Sequence, residues 1–156
     1  TAWAPTAEPV TTFGPRAGTL TTFGPDALFV YVRGPANELQ SRTRAGTTWG
    51  DDRTIDTGAN VDLNVTPAVI ALDDTQALAV WSATSGQVRF AARTRGGSWS
   101  TAANVPMCLS NRRAALASLG ASRALLAFHG TDDALYVSTY ATGAWSTPAR
   151  SSPIPR

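Results

Sequence analysis

The sequence predicts an all-β fold of β-propeller blades: three four-stranded repeats and one orphan outer strand, part of a larger ring or of a ring completed by association. Three observations carry that reading. Tryptophans at positions 3, 49, 99 and 145 recur at intervals of 46, 50 and 46 residues. Apolar runs that begin at Ala27, Ala77 and Ala124 keep the same period, with intervals of 50 and 47 residues. Such a period fits a propeller blade, a unit that buries its apolar faces only against its neighbours. Charged residues are 15% of the 156 against a usual ~25%, and Thr, Ser, Gly and Pro take their place, as many tight turns require.

The period divides the chain into repeats at residues 11–58, 59–106 and 107–156, with residues 1–10 as the orphan outer strand. Its TAWAPTAEPV matches GAWSTPARSSP near the other end. Three blades fall short of a closed ring, which takes roughly four to eight. The missing blades are expected from a longer chain or, less favoured, from further copies of this one.

Within each repeat the first strand is short and apolar: GTLTTF around Leu20, PAVIAL around Ile70, AALASL around Leu116. Turns at Gly24, Asp74 and Gly120 lead into second strands that are nearly continuous apolar runs, the mark of a strand covered on both faces. The third strands, ELQSRTR, QVRFAARTR and ALYVSTY, alternate polar with apolar residues and belong nearer the rim. A glycine-bearing hairpin then delivers Trp49, Trp99 or Trp145, whose large indoles are expected to anchor one blade on the next. Local propensity disagrees at one place. Residues 112–128, RRAALASLGASRALLAF, are rich in helix formers, but their alignment with the other repeats requires strand, turn, strand, and a glycine within a helix would cost about 1 kcal/mol.

Several function classes are excluded or left without support. All 13 basic residues are arginine, and with 11 acids the net charge is +2, too small an excess to argue for nucleic acid. No run of 18 apolar residues suggests a membrane span. Cys108 is the one cysteine, so no intrachain disulfide supports the fold. One histidine, His129, offers neither a metal cluster nor a hydrolase triad its partners. The acidic pairs Asp51 and Asp52, Asp73 and Asp74, Asp132 and Asp133 lie in predicted turns, where aspartate serves local hydrogen bonding. A sialidase-type Asp-box needs an aspartate five residues before the tryptophan, where Arg44, Thr94 and Tyr140 stand. The expectation is a chain with no catalytic residues, metal or cofactor.

The repeats LTTFGPDALFVYVRGPANELQSRTRAGTTW (residues 20–49) and HGTDDALYVSTYATGAWS (residues 129–146) resemble those of the bacterial PLL-like fucose-binding lectins. The distance of ten residues from Leu39 to Trp49 recurs from Leu135 to Trp145. That resemblance implies a seven-bladed propeller that binds sugars. The family's adjacent third-strand aromatics are replaced here by Thr43 and Arg44, Ala92 and Arg93, and Thr139 and Tyr140, so Tyr140 keeps the only aromatic of the set.

Candidate ligand residues follow. Tyr31, Trp81 and Phe128 share one position near the end of the second strand; their rings either receive the apolar side of a sugar or, the favoured alternative, fill the core between blades. His129 ends one of those strands and is read first as a turn residue. Arg44 and Arg93, with Arg42, Arg89 and Arg95, decorate the third strands, where guanidinium groups either bind sulfated or sialylated glycans or form a solvated rim. The sequence thus points to a non-enzymatic glycan-recognition module, extracellular or on the cell surface. The alternatives are a protein-interaction scaffold that binds a protein partner or copies of itself, and an accessory domain of a larger secreted enzyme.

Overall fold

The computed structural model describes residues 15–34 and 37–151. The predicted orphan strand with Trp3 lies outside the described residues. The first sheet holds β1 (Pro15–Phe23), β2 (Asp26–Arg33), β3 (Glu38–Ala45), β4 (Thr48–Trp49) and β5 (Arg53–Thr57). The second holds β6 (Ala68–Ala71), β7 (Gln76–Ser82), β8 (Gln87–Thr94) and β9 (Ala103–Leu109). The third holds β10 (Ala115–Gly120), β11 (Arg123–His129), β12 (Leu135–Ala141), β13 (Ala144–Trp145) and β14 (Ala149–Arg150). Every pairing is antiparallel between sequence neighbours or onto the third strand, so each sheet is a meander that forms one blade. The first strands stand side by side, β6 between β1 and β10, which fixes the order of the blades around a common axis.

No α-helix occurs among the described residues, and the segment with the strongest helix propensity is the hairpin of β10 and β11. Its turn lies between Gly120 and Arg123, where the repeat alignment expects it, with Ala121 and Ser122 as central residues at φ of 49° and 56°. Two left-handed residues in succession match the twist of a tight hairpin. The first blade turns at Gly24, whose φ is 61°, followed by Pro25, whose ring holds φ negative. The fourth strand is interrupted in every blade. Trp49 and Trp145 sit in two-residue strands, Trp99 makes an isolated bridge to Arg93, and pairing resumes only at β5, β9 and β14.

The core consists of two layers between blades. Phe23, Leu28, Val30, Val32 and Leu39 of the first blade meet Val69, Ala77, Ala79, Trp81 and Ala91 of the second. On its other side the second blade presents Leu78, Val80, Val88, Val105 and Cys108 to Ala124, Leu126, Phe128, Tyr140 and Trp145 of the third. Strand β7, covered from both sides, is buried at all positions after its first. Strand β11 has a comparable apolar sequence but alternates buried with half-buried residues. Only one of its faces carries a neighbour: Leu126 and Phe128 are covered, whereas Leu125 and Ala127 stand on the opposite face, since strand side chains alternate.

Candidate ligand cleft

The third strands place one residue per blade at the same point, opposite the alanine that starts the second strand. The register pairs Ala27 with Arg44, Ala77 with Arg93, and Ala124 with Tyr140. Small partners leave room for a long side chain to turn along the seam between blades. Arg93 shares the face of Ala91, toward the first blade, because two residues return a strand side chain to the same side. It is 6% exposed. Its Nε donates to the Gly97 carbonyl at 3.0 Å and its Nη1 to Thr43 Oγ1 of the first blade at 3.0 Å. No carboxylate pairs with it among the described residues, and Nη2 has no protein acceptor there. Burial, and after it repulsion from Arg53, lowers its pKa from the ordinary arginine value.

Arg93 lies between two open clefts. One of about 550 Å³ is lined by Phe23, Asp26, Thr43, Thr75, Thr94 and Arg95 with Arg93 and Gly96. The turns of the two blades form its mouth: Gly24 lies so close to the neighbouring blade that an added Cβ would sit 3.0 Å from the Asp74 carbonyl oxygen. There Arg95 Nε pairs with Asp26 Oδ2 at 3.2 Å. The second cleft, about 420 Å³, has Thr43, Thr48, Asp51 and Arg53 in its walls. The arrangement can hold a polar ligand by a guanidinium fork, threonine hydroxyls and flanking ion pairs. No group of three or more His, Cys, Asp or Glu suited to a metal ion occurs among the described residues.

The remaining candidate residues are dispersed through separate layers. Tyr31, Trp81 and Phe128 are 1%, 3% and 3% exposed, so their rings are packed between strands. Trp81 Nε1 donates to the Asn60 carbonyl at 2.9 Å, Phe128 stacks on Tyr136, and the Tyr31 hydroxyl bonds Asp52 and Gln40. Burial, then the Asp52 hydrogen bond, raises the Tyr31 pKa above the ordinary tyrosine value. Burial opposes the charge on Asp52, yet hydrogen bonds from Arg42 and Tyr31 hold its pKa below the usual carboxylate value. His129, half-buried, has Nδ1 3.2 Å from the Gly130 carbonyl oxygen. Arg44 is half-buried on β3. Tyr140 is buried, packs against Trp145 and edge-on against Phe90, and burial raises its pKa. The seam between the second and third blades is therefore closed by rings where the first seam is open and holds a guanidinium.

Residues outside the sequence's ligand candidates complete the cleft: Thr43, Asp26, Thr75 and Phe23. Thr43 was legible in principle, since it lies on the same strand face as Leu39 and Ser41, the face turned to the second blade. Asp26 begins β2 at the end of a turn and Thr75 lies in the turn before β7, and strand periodicity does not fix how these two turns meet.

No protein-family pattern matches the chain, and no curated protein matches it in sequence. Solved structures do. The fucose-bound Aleuria aurantia lectin, described as a six-bladed β-propeller, superposes with a TM-score of 0.66 over 86% of this chain and 44% of its own, at 20% identity. The BP39L lectin of Burkholderia pseudomallei gives 0.69 over 88% and 42%, at 18% identity. The microbial sialidase Hz136 gives 0.54 over 86% and 37%, at 17% identity. The chain therefore spans less than half the length of these propellers, and what it shares with them is the blade array.

Proposed function

We propose that this chain is part of a non-enzymatic glycan-recognition propeller, and that it seats a sugar in the cleft between its first and second blades. One observation carries the reading: the Arg93 guanidinium, enclosed but bonded only to neutral oxygens, lines an open cleft beside the Thr43 hydroxyl. Sugars are recognised by such planar donor forks and fixed hydroxyls. The lectins among the structural neighbours support it. The sialidase among them gives little support to catalysis here, because Arg44, Thr94 and Tyr140 stand where an Asp-box requires aspartate. A place outside the cell or on its surface goes with the proposal, since glycans are presented there. Glycan-array binding followed by calorimetry tests it. A hit that weakens at least about tenfold in Thr43→Ala with folding intact supports the cleft; no binding across the array refutes the reading.

A second reading concerns partners and rests on a different observation, the half-buried apolar face of β11 and β12. Leu125, Ala127 and Val137 stand there with Leu135, which is 49% exposed. They occupy the positions by which the first blade packs on the second. The proposed cover is another blade of the same kind, from flanking sequence or from a second copy. Closure around the ring would then repeat the seam at Arg44.

A further inference from the structure

We infer that the cleft at Arg93 selects glycans that carry an anionic group, a carboxylate or a sulfate. The inference rests on the glycan reading above and adds the charge of the ligand.

The physical argument begins with the cost of an enclosed cation. A guanidinium withdrawn from water is tolerated when an opposite charge or a full set of acceptors replaces its hydration. Elsewhere in this protein arginines meet that condition with aspartates: Arg42 with Asp52, Arg89 with Asp56 at 2.8 Å, Arg95 with Asp26 at 3.2 Å. Arg93 is the more enclosed side chain, yet its two acceptors are a carbonyl and a hydroxyl. Its neighbour Arg53 adds positive charge on the side of the second cleft. The carboxylate at the other mouth, Asp26, is already engaged by Arg95. The acid that lines the second cleft, Asp51, is exposed to solvent and forms no ion pair with Arg93.

The seam therefore carries a positive potential, and the open Nη2 offers the rest of a fork that accepts a planar carboxylate or two sulfate oxygens. A neutral sugar satisfies N–H donors but leaves the charge uncompensated. A ligand anion compensates it in a partly desolvated site, where pairing is worth more than at the surface. The opposite chemistry at the next seam sharpens the assignment. Tyr140 holds the equivalent position there among Trp145 and Phe90, so the second seam has no cation at this point and carries no anion site.

The experiment compares matched ligands on the protein as it exists. Methyl β-glucuronide is titrated against methyl β-glucoside, and galactose 6-sulfate against galactose, by calorimetry or NMR shift mapping, at low and high sodium chloride. The expected result is at least about tenfold tighter binding of the anionic member of one pair, lost in Arg93→Gln and reduced as salt rises. Equal affinity within both pairs overturns the charge assignment and leaves glycan recognition standing. Anion preference that persists in a folded Arg93→Gln protein overturns the site. Absence of binding by all four sugars, together with a silent glycan array, overturns both. Should Arg93→Gln fail to fold, Arg53→Gln and the ligand pairs on the unaltered chain decide the question. A lack of anion preference or of salt dependence there counts against the proposal.

Discussion

The bond between Trp99 and Ser41 is a measurable share of what holds the first two blades together. Trp99 packs on the first interblade layer and donates its indole N–H to Ser41 Oγ at 2.8 Å. Ser41 is fully buried, so water cannot replace it as an acceptor. Removing the hydroxyl in Ser41→Ala leaves an indole donor without a partner, at a cost of about 1 to 3 kcal/mol. Trp99→Phe removes the donor and one ring of packing together, about 1 to 3 kcal/mol. Once the donor is gone, the hydroxyl matters less, so the double variant should lose about 1 kcal/mol less than the sum of the two. Equilibrium urea unfolding followed by circular dichroism measures each corner of the cycle. The protein holds its own control at the next seam. Register puts Phe90 where the first blade has Ser41, and Trp145 Nε1 is buried with no acceptor among the described residues. Trp145→Phe should therefore cost less than Trp99→Phe by roughly the value of one hydrogen bond, about 1 kcal/mol. Additivity of Ser41→Ala and Trp99→Phe to within about 0.3 kcal/mol would refute the reasoning.

Asp73 joins the second blade to the third, and its effect on stability should depend on pH. It accepts from Ser122 Oγ, Thr75 Oγ1 and the amides of Thr75 and Gln76. The Ser122 hydroxyl, then Thr75, holds its pKa down to about 2 from 3.8. A depressed carboxylate stabilises the fold above its unfolded value, so this contribution is complete above 3.8 and is lost as pH falls toward 2; Asp73→Asn should remove that portion of the acid transition, seen in melting temperature against pH. Cys108 is fully buried and burial pushes its thiol up to about 12, so thiol reagents should label it only after unfolding, and prompt labelling of the native chain would contradict its place in the core. The outward face of the third blade should associate: Leu125→Glu with Val137→Glu should shift sedimentation toward the monomer while blade content in circular dichroism is retained, and a monodisperse monomer before substitution would remove the case for an uncovered face.

The architecture was legible because a repeat reports the same physical requirement several times. The segment from Arg112 to Phe128 has helix formers in quantity, but Leu126 and Phe128 are buried and Leu116 is half-buried by their alternation against the second blade, and that tertiary context outweighs propensity. The turn there, at Ala121 and Ser122, is held by the Ser122 bond to Asp73 of another blade, which no local sequence signal announces. Strand periodicity told which face Tyr31, Trp81 and Phe128 occupy, but not whether that face is covered. Coverage depends on residues fifty positions away. The arginines show the same limit. Sequence placed them together on third strands, whereas their partners, Asp52 in a loop, Asp56 on an outer strand and Asp26 at the start of a second strand, are brought to them by packing. Arg93 differs from the others through what does not reach it, and that is visible only when the blades are assembled.

One position in the blade belongs to the seam more than to the sheet. The residue opposite the first alanine of the second strand makes little difference to the sheet, since its neighbours across the ladder are alanines in all three blades. It lies where two blades meet, so its chemistry defines the seam. Tyr140, with Phe90 facing it, fills the seam with carbon and leaves an indole N–H unbonded. Arg93, with Thr43 facing it, holds a charge at the floor of an open cleft, and Arg44 presents the same group on the face of the first blade. A repeated scaffold can change its surface chemistry one seam at a time, because each seam is set by a residue and its opposite number on the preceding blade while the strands behind them keep the same apolar pattern.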